Sequence, residues 1–556
     1  MESYITGFSR EAIKKIATEP YFEAKLKAIR ERAETLLNTD PRRIKFSDMH
    51  LFETTGNRSQ YETARSDYFG RASTFAFLYA LEEDEKYIMP LCDAIWNICD
   101  LETWALPAHI KEEYTLQQRR CFLELVSTNT GKMFGEILAL VGEENLPEII
   151  VRRMRSEVRE RVIESYKRRN GWWASATSNW AAVCICGVLG SYIYFAEKEE
   201  LDELIPAMVQ TAENYLSGFD ADGCCLEGYG YWSYGFSFFL EFADLLRNYT
   251  GGKINMFDSE RTKTVASFIE NCSINDDQCI RFSDCSEFFR PSAPIAHFIK
   301  NEYPDIEIPS IPPTSYPGTD IRSFLWSDPK LQNSTMNPKN KIFHDAQWFI
   351  YRSEPYNFVC KAGHNNEPHN HNDVGSFMVS KGGKVTLTDP GTGEYTRQYF
   401  NSERFTNLEP SSRSHSVPII NGCYQSFGVK EKAEIFVEKE NEYAFSMQQV
   451  YEIESLKSLK RHFVCGESSV TLTDTYVFTE MPESLVERFS TLVEPEIENG
   501  KIMVGASELE YDKEIFDFEI NTEISNRAGG KKETLYLIDF KPKALSDKME
   551  FTFVFK

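Results

Sequence analysis

"GSFMVSKGGKVTLTD", residues 375–389, decides how the second half of this chain folds. Apolar and β-branched residues alternate with polar ones on both sides of Gly382-Gly383. Glycine supplies the positive φ that a two-residue hairpin turn needs at its central positions. The spacing therefore predicts two antiparallel strands. Folding at Gly382-Gly383 returns Asp389 close to Ser376, the end of the hairpin at which "EPHNHND" (367–373) arrives. That polar run carries His369, His371 and Asp373 at alternate positions. In an extended segment such residues share a face about 7 Å apart, and they could bind a metal, move protons or form a turn.

The β pattern extends outward from this hairpin. "AQWFIYRS" (346–353), "YNFVCKAG" (356–363), "SVTLTDTYVFT" (469–479), "TLYLIDF" (534–540) and "MEFTFVFK" (549–556) are alternating strand-like runs, expected to form an antiparallel sandwich or stacked sheets. Upstream, "YPDIEIPSIPPTSYPGTD" (303–320) is too rich in proline for helix or central strand. Before it the apolar period is helical, as in "EAIKKIATEPYFEAKLKAIRERAETLLN" (11–38) and "GFSFFLEFADLLRNY" (235–249), which runs into the stop signal Gly251-Gly252. The expected plan is α+β and multidomain: a helical domain over 1–302, a Pro-rich linker over 303–341 and an antiparallel β-sandwich over 342–556.

The chain has 556 residues, enough for several folding units. Its net charge of −24 argues against nucleic acid or an anionic membrane as partner. An anionic small substrate would need local basic groups or a metal. The amino-terminal stretch has no apolar core of a secretory signal, and no run reaches the roughly 18 apolar residues of a membrane span. Thirteen cysteines without a CxxC pair read as reduced core residues, so a cytoplasmic address is expected. Phosphate-loop, nucleophile-elbow, HExxH and dinucleotide motifs are all missing.

The candidate site residues follow from position. His415, in "SSRSHSVPIING" (411–422), begins a strand after a polar loop, and with His371 and Asp389 it would make a plausible zinc shell or a hydrogen-bonded polar cluster. In "DGCCLEGYGYWSYGFSFF" (222–239), Tyr229, Tyr231 and Tyr234 open a helix. A tyrosine there could act as base and acid if its pKa is lowered, or line the core. Asn179 precedes the apolar helix "NWAAVCICGVLGSYIYFA" (179–196) as a helix cap or a donor to a substrate carboxylate. Trp180, His109 in "WALPAH" (104–109) and His364 are candidates for a sugar-lined cleft; Arg413 and Arg290 are candidate local cations.

Together, "NNEPHNHNDVGSFMV" with "TLTDPGTGEYT" and "RSHSVPIINGCYQ", preceded by "NGWWASATSNWAAVCICG" and "LEGYGYWSYGFSFF", resemble the heparinase II/III-like polysaccharide lyases. The resemblance spans about residues 70–480. It implies an incomplete (α/α) toroid followed by an antiparallel β-sandwich, and β-elimination of uronate-containing glycans of heparan, chondroitin, hyaluronan or alginate type. It implies Asn179, Tyr231 and His369 as catalytic residues, with Tyr229 or Tyr234 as rivals for the tyrosine. It also implies Tyr234, Tyr229, Trp180, His364, Arg413 and His109 around the substrate. His371, Asp389 and His415 would bind a zinc ion of mainly structural use, leaving Asp373 a supporting role. The expected partner is an anionic uronate-containing oligosaccharide, with a homodimer as the assembly to test. The competing readings are a glycoside hydrolase on a helical toroid, recruiting Asp222 and Glu227, and a non-catalytic acidic-sugar-binding protein.

Overall fold

The computed structural model describes residues 2–111, 113–168, 171–275, 278–286, 291–337, 339–527 and 530–556. Arg290 lies outside them. Two compact units emerge: Met1–Gly218 with Trp232–Ala266 and Ser292–Thr335, and Phe219–Tyr231 with Ser267–Pro291 and Met336–Lys556.

The first unit is helical. Its long members are Glu23–Leu37, Ser59–Glu82, Ile88–Asp100, Leu125–Val141, Asn179–Phe195, Lys198–Ser217 and the helix Tyr229–Tyr249 from Trp232 onward. Asn179–Phe195 is apolar on all sides because it is packed on all sides, with Ala181 through Cys186 fully buried. It meets Leu125–Val141 through small residues. A Cβ on Gly187 would lie 2.5 Å from the Thr128 backbone, and one on Gly135 would lie 2.2 Å from the Tyr194 ring. Larger residues at these positions would force two close-packed helices apart. The helix Tyr229–Tyr249 ends as its pattern predicts, with Gly251 and Gly252 at positive φ and the Gly252 N–H bonded back to the Arg247 carbonyl at 2.8 Å. The proline-rich segment from 303 has no regular element before the short helix Arg322–Leu325. Among the described residues no helix is long and apolar enough to cross a membrane.

The second unit is built on antiparallel strands. A five-stranded sheet runs in order through β1 (Lys341–Phe343), β2 (Trp348–Arg352), β3 (Tyr356–Lys361), β4 (Phe377–Lys381) and β5 (Lys384–Leu387). The remaining strands are β6 (Ile419–Ile420), β7 (Glu434–Lys439), β8 (Glu442–Ser446), β9 (Leu456–Cys465), β10 (Val470–Phe478), β11 (Leu485–Thr491), β12 (Glu496–Glu498), β13 (Lys501–Val504), β14 (Ser507–Tyr511), β15 (Phe516–Asn526), β16 (Lys532–Pro542) and β17 (Lys548–Phe555). They form an eight-stranded sheet, β12-β13-β14-β17-β10-β9-β8-β7, and a four-stranded sheet, β15-β16-β11-β6. Strict alternation on β10 turns Leu472 and Tyr476 into the core and leaves Thr471 and Thr473 partly exposed. One hydrophobic core serves all three sheets, with aromatic contacts such as Phe358–Phe463 at 4.8 Å and Phe489–Phe553 at 5.0 Å.

Two excursions from the helical part of the chain belong to this unit, for identifiable reasons. Phe268 packs on Phe343 and Trp348, and Phe282 packs edge-on against Trp348 at 5.0 Å. The Arg352 guanidinium donates to the Asn271 carbonyl at 2.6 Å. Arg281 donates to Thr388 Oγ1 at 3.2 Å and to the Pro390 carbonyl at 3.3 Å. The domain plan is therefore discontinuous in sequence, and Tyr231 and Asp284 are placed with the β unit.

Candidate active site

The hairpin forms with the expected turn: Lys381 pairs with Lys384, and Gly382 and Gly383 take φ of 59° and 75°. Asp389 just beyond β5 then lies beside His371, with His371 Nδ1 3.9 Å from its carboxylate. The loop joining β3 to β4 is tied at its base by Lys361 N–H to the Ser376 carbonyl and Gly375 N–H to the Lys361 carbonyl, at 3.0 and 2.8 Å. Inside it, the fully buried Lys361 ammonium pairs with Asp373 at 2.8 Å and Glu367 at 2.9 Å. Asp373 is thereby a structural counter-charge.

The expectation that His369 and His371 share the face of an extended segment does not hold. His369 takes a φ of +53°, a left-handed conformation costly for a residue with a Cβ, and the chain turns there. The two imidazoles nevertheless meet one group, the buried carboxylate of Asp284. His369 Nδ1 lies 2.7 Å from Asp284 Oδ2, and His371 Nε2 lies 3.0 Å from Oδ1. Tyr399 donates its hydroxyl to Oδ1 at 2.8 Å, and Arg404 donates to both oxygens at 2.9 and 3.0 Å. Burial alone would raise the Asp284 pKa, but the hydrogen bonds from His369 and His371 and the charges around it hold it well below the usual carboxylate range. An ionised Asp284 makes His369 donate from Nδ1, which leaves the lone pair on Nε2.

Tyr231, in the first turn of its helix, stacks on the His369 ring with centroids 4.0 Å apart, and its hydroxyl lies 2.9 Å from that of Tyr395. Burial, then the Asp284 charge, raises the Tyr231 pKa. The lowered value that sequence reasoning entertained is thus corrected: the phenol stays protonated at neutral pH. The neighbouring tyrosines differ. Tyr229 is 1% exposed and stacks on Phe268 in the core, so it is not available to a ligand. Tyr234 is 40% exposed on the helical unit.

Behind His371 lies a second arrangement. Ligand atoms of His371, Asp389 and His415 lie within 4.8 Å of one another, and all three residues are buried. His415 Nε2 donates to the Glu409 carbonyl at 2.9 Å, and Asp389 Oδ1 accepts the Gly391 N–H at 2.8 Å. His371 Nε2 is held by Asp284. What remains is His371 Nδ1, His415 Nδ1 and Asp389 Oδ2, all buried; the last two lie 3.1 Å apart and become an ion pair only if His415 is protonated. Three converging lone pairs, each fixed from behind by a second bond, fit a divalent metal. Burial lowers the His371 pKa, which suits a neutral imidazole ligand. For His415 burial acts to lower the value, but the charge and hydrogen bond of Asp389, with the Asp373 charge and the Glu409 carbonyl, together raise it, so metal binding would compete there with a proton.

The other predicted residues stand apart from this cluster. His364 Nδ1 accepts the Asn366 N–H at 3.1 Å within its own turn. Arg413 accepts at its carbonyl from Arg488 at 2.5 Å, whereas Arg404 is the guanidinium that reaches Asp284. In the helical unit, His109 Nδ1 lies 2.6 Å from buried Glu124, and Trp180 packs against both His109 and the exposed Trp172 at 4.9 Å. Asn179 is the first residue of its helix, with Ser178 as cap, and is buried against Gly235. Asp284, Tyr395, Tyr399 and Arg404 escaped sequence reasoning. Of these, only Tyr395 lies in a stretch that carries the family resemblance, "TLTDPGTGEYT".

Residues 335–478 match the family model described as Heparinase II/III-like, C-terminal. Comparison with curated protein sequences finds no match. Among solved structures, Heparinase III superposes with a TM-score of 0.63 at 14% identity, over 99% of this chain and 91% of that one. Heparan sulfate lyase HepC from Pedobacter heparinus gives 0.56 at 12%, over 99% and 90%. The Streptomyces coelicolor A3 chondroitin AC lyase, in complex with chondroitin sulphate, gives 0.58 at 11%, over 98% and 82%. At such identities the likeness to these structures is one of fold. The family match is confined to residues 335–478, a region that is therefore similar to a heparinase II/III-like C-terminal domain.

Proposed function

We propose that this protein is a polysaccharide lyase that cleaves uronate-containing glycans by β-elimination, with His369 as base and Tyr231 as acid. The observation that carries the reading is the stacked Tyr231–His369 pair backed by Asp284. His369 Nε2 takes the proton from carbon 5 of the uronate. The electron pair moves into a carbon 4–carbon 5 double bond, the bond from carbon 4 to the glycosidic oxygen breaks, and the Tyr231 hydroxyl protonates the leaving oxygen. Exchange with water restores both groups. Asp284 fixes the His369 tautomer and stabilises the imidazolium, as the carboxylate of a catalytic triad does, and proton transfer of this kind contributes about 10²–10⁴-fold.

The proton at carbon 5 is weakly acidic, so the adjacent carboxylate has to be neutralised. Asn179 is assigned this task by the family resemblance, as a donor to the developing enolate. His371, Asp389 and His415 would hold a divalent metal such as zinc, whose charge braces the loop carrying His369. Trp180, Trp172 and Tyr234 offer aromatic surface for sugar rings. The hydrolase alternative would need free carboxylates, whereas Asp222 accepts the His344 and Cys224 N–H groups at 2.9 and 3.3 Å.

Incubation with heparan, chondroitin, hyaluronan and alginate oligosaccharides, followed by ultraviolet absorbance, tests the proposal. An unsaturated uronate chromophore is expected with one of them. Cleavage without the chromophore would sink the lyase reading.

A further inference from the structure

The helical unit contains a cavity of about 310 Å³ built from residues that the proposed elimination does not use. Its walls include Phe69, Val126, Met133 and Phe238, and its polar atoms come from Arg65, Asn129, Lys132, Glu136, Glu241 and Asp320. Most of those charges cancel locally. Lys132 is bonded to Glu241. Arg322, 3% exposed, lies 2.8 Å from Glu136, 3.7 Å from Glu241 and 3.8 Å from Asp320.

Arg65 is different. It is 7% exposed and lies over the Phe69 ring at 3.6 Å, with one long bond to Thr130 Oγ1 at 3.4 Å. It has no carboxylate partner among the described residues, and its Nε has no hydrogen-bond partner among them. A buried cation left this way is costly unless an anion answers it. Asn129 lines the same cavity with the complementary deficit. Its amide donates to the Leu125 and Val183 carbonyls at 2.8 and 3.1 Å, while its Oδ1 is buried without a partner among the described residues. One orphaned cationic donor and one orphaned acceptor, between aromatic and aliphatic walls, describe a ligand bearing a carboxylate, a hydroxyl and an apolar ring face.

We infer that this cavity binds a small sugar acid, with its carboxylate on Arg65 and a hydroxyl donating to Asn129 Oδ1. The inference goes beyond the lyase reading and does not depend on turnover. Calorimetric titration of glucuronate, glucose and sodium sulfate into the full chain tests it. Glucuronate should bind, and glucose should bind at least about tenfold more weakly because it leaves the guanidinium unpaired. Arg65→Met should weaken glucuronate by at least about tenfold, with Arg65→Lys keeping part of the affinity. Asn129→Ala, which retains the guanidinium and serves if Arg65→Met fails to fold, should lose roughly threefold to tenfold for glucuronate and nothing for sulfate. No glucuronate binding, or equal binding by Arg65→Met, overturns the inference. Sulfate binding as tight as glucuronate overturns the sugar-acid assignment. Binding of glucuronate by a protein that never yields the unsaturated chromophore leaves this site standing and removes only the lyase reading.

Discussion

Two buried polar clusters of the β unit differ in whether the chain completes them. Around Arg461 the guanidinium is saturated, and Glu487 Oε2 lies 3.6 Å from it. The guanidinium donates to Asp474 from Nε at 2.9 Å and from Nη2 at 2.6 Å, and to the carbonyls of Gly375 and Ser416, both at 2.8 Å. Tyr476 donates to Glu487 at 2.5 Å, and burial followed by the Asp474 charge raises the Glu487 pKa. Around Asp389, buried His371 Nδ1, His415 Nδ1 and Asp389 Oδ2 converge with no partner but one another. The first cluster is a structural brace: Arg461 holds the carbonyls of Gly375 and Ser416, close in the chain to His371 and His415. The second, with His415 Nδ1 3.1 Å from Asp389 Oδ2 and His371 Nδ1 facing both, is an arrangement that could hold a metal ion.

If that contrast is right, chemistry and stability should separate under mutation. Tyr231→Phe and His369→Ala should each lower kcat about 10²–10⁴-fold, with melting temperatures close to wild type; a variant within tenfold of wild type would remove that residue from the reaction. Arg461→Met should cost about 3–5 kcal/mol in denaturant unfolding, because Asp474 is left buried and unpaired. A stable Arg461→Met would break the comparison outright.

His371→Ala should take the metal content, measured by mass spectrometry, from about one per chain to near zero. Asp284→Asn should retain metal but weaken it about 10–100-fold, because the bond that orients His371 is altered. A chelator should lower the melting temperature of wild type and leave that of His371→Ala unmoved. Equal metal content in wild type and His371→Ala would show the Asp389 cluster to be a plain polar core.

The smallest effect sharpens the same distinction in the helical unit. Lys25 is buried with its ammonium on Ser323 Oγ at 2.6 Å and over the Phe324 ring at 4.2 Å. Burial pulls its pKa down to about 8. Between that value and the unfolded value near 10.4 the unfolded chain binds more protons, so stability should rise with pH across this window by on the order of 1–3 kcal/mol. Lys25→Met should flatten the rise in pH-dependent unfolding; an unchanged slope would show that Lys25 is not its source.

Much of the β unit was legible because its signals are local. Gly382-Gly383 specified the turn, the turn specified the register, and the register brought Asp389 to His371. His415 and Tyr231 stood out by position, and the family resemblance supplied their roles. The separation of His369 from His371 was not legible from spacing, since a φ of +53° at His369 breaks the extended geometry that alternate positions assume. The supporting role expected of Asp373 is that of counter-charge to buried Lys361.

The residue pattern by itself determined the helical period, the alternating strands, the hairpin register and the candidate His-Asp-His set, because each depends on neighbours a few residues apart or on one turn. The tertiary structure alone decided that Asp284 serves both histidines, that Tyr395 meets Tyr231, and that Arg404 rather than Arg413 reaches the carboxylate. Asp284 lies 85 residues before His369, and it arrives there because Phe268 and Phe282 bury their rings against Trp348. Apolar burial sets that placement and is non-directional, so no local spacing could announce which carboxylate it would carry into the site.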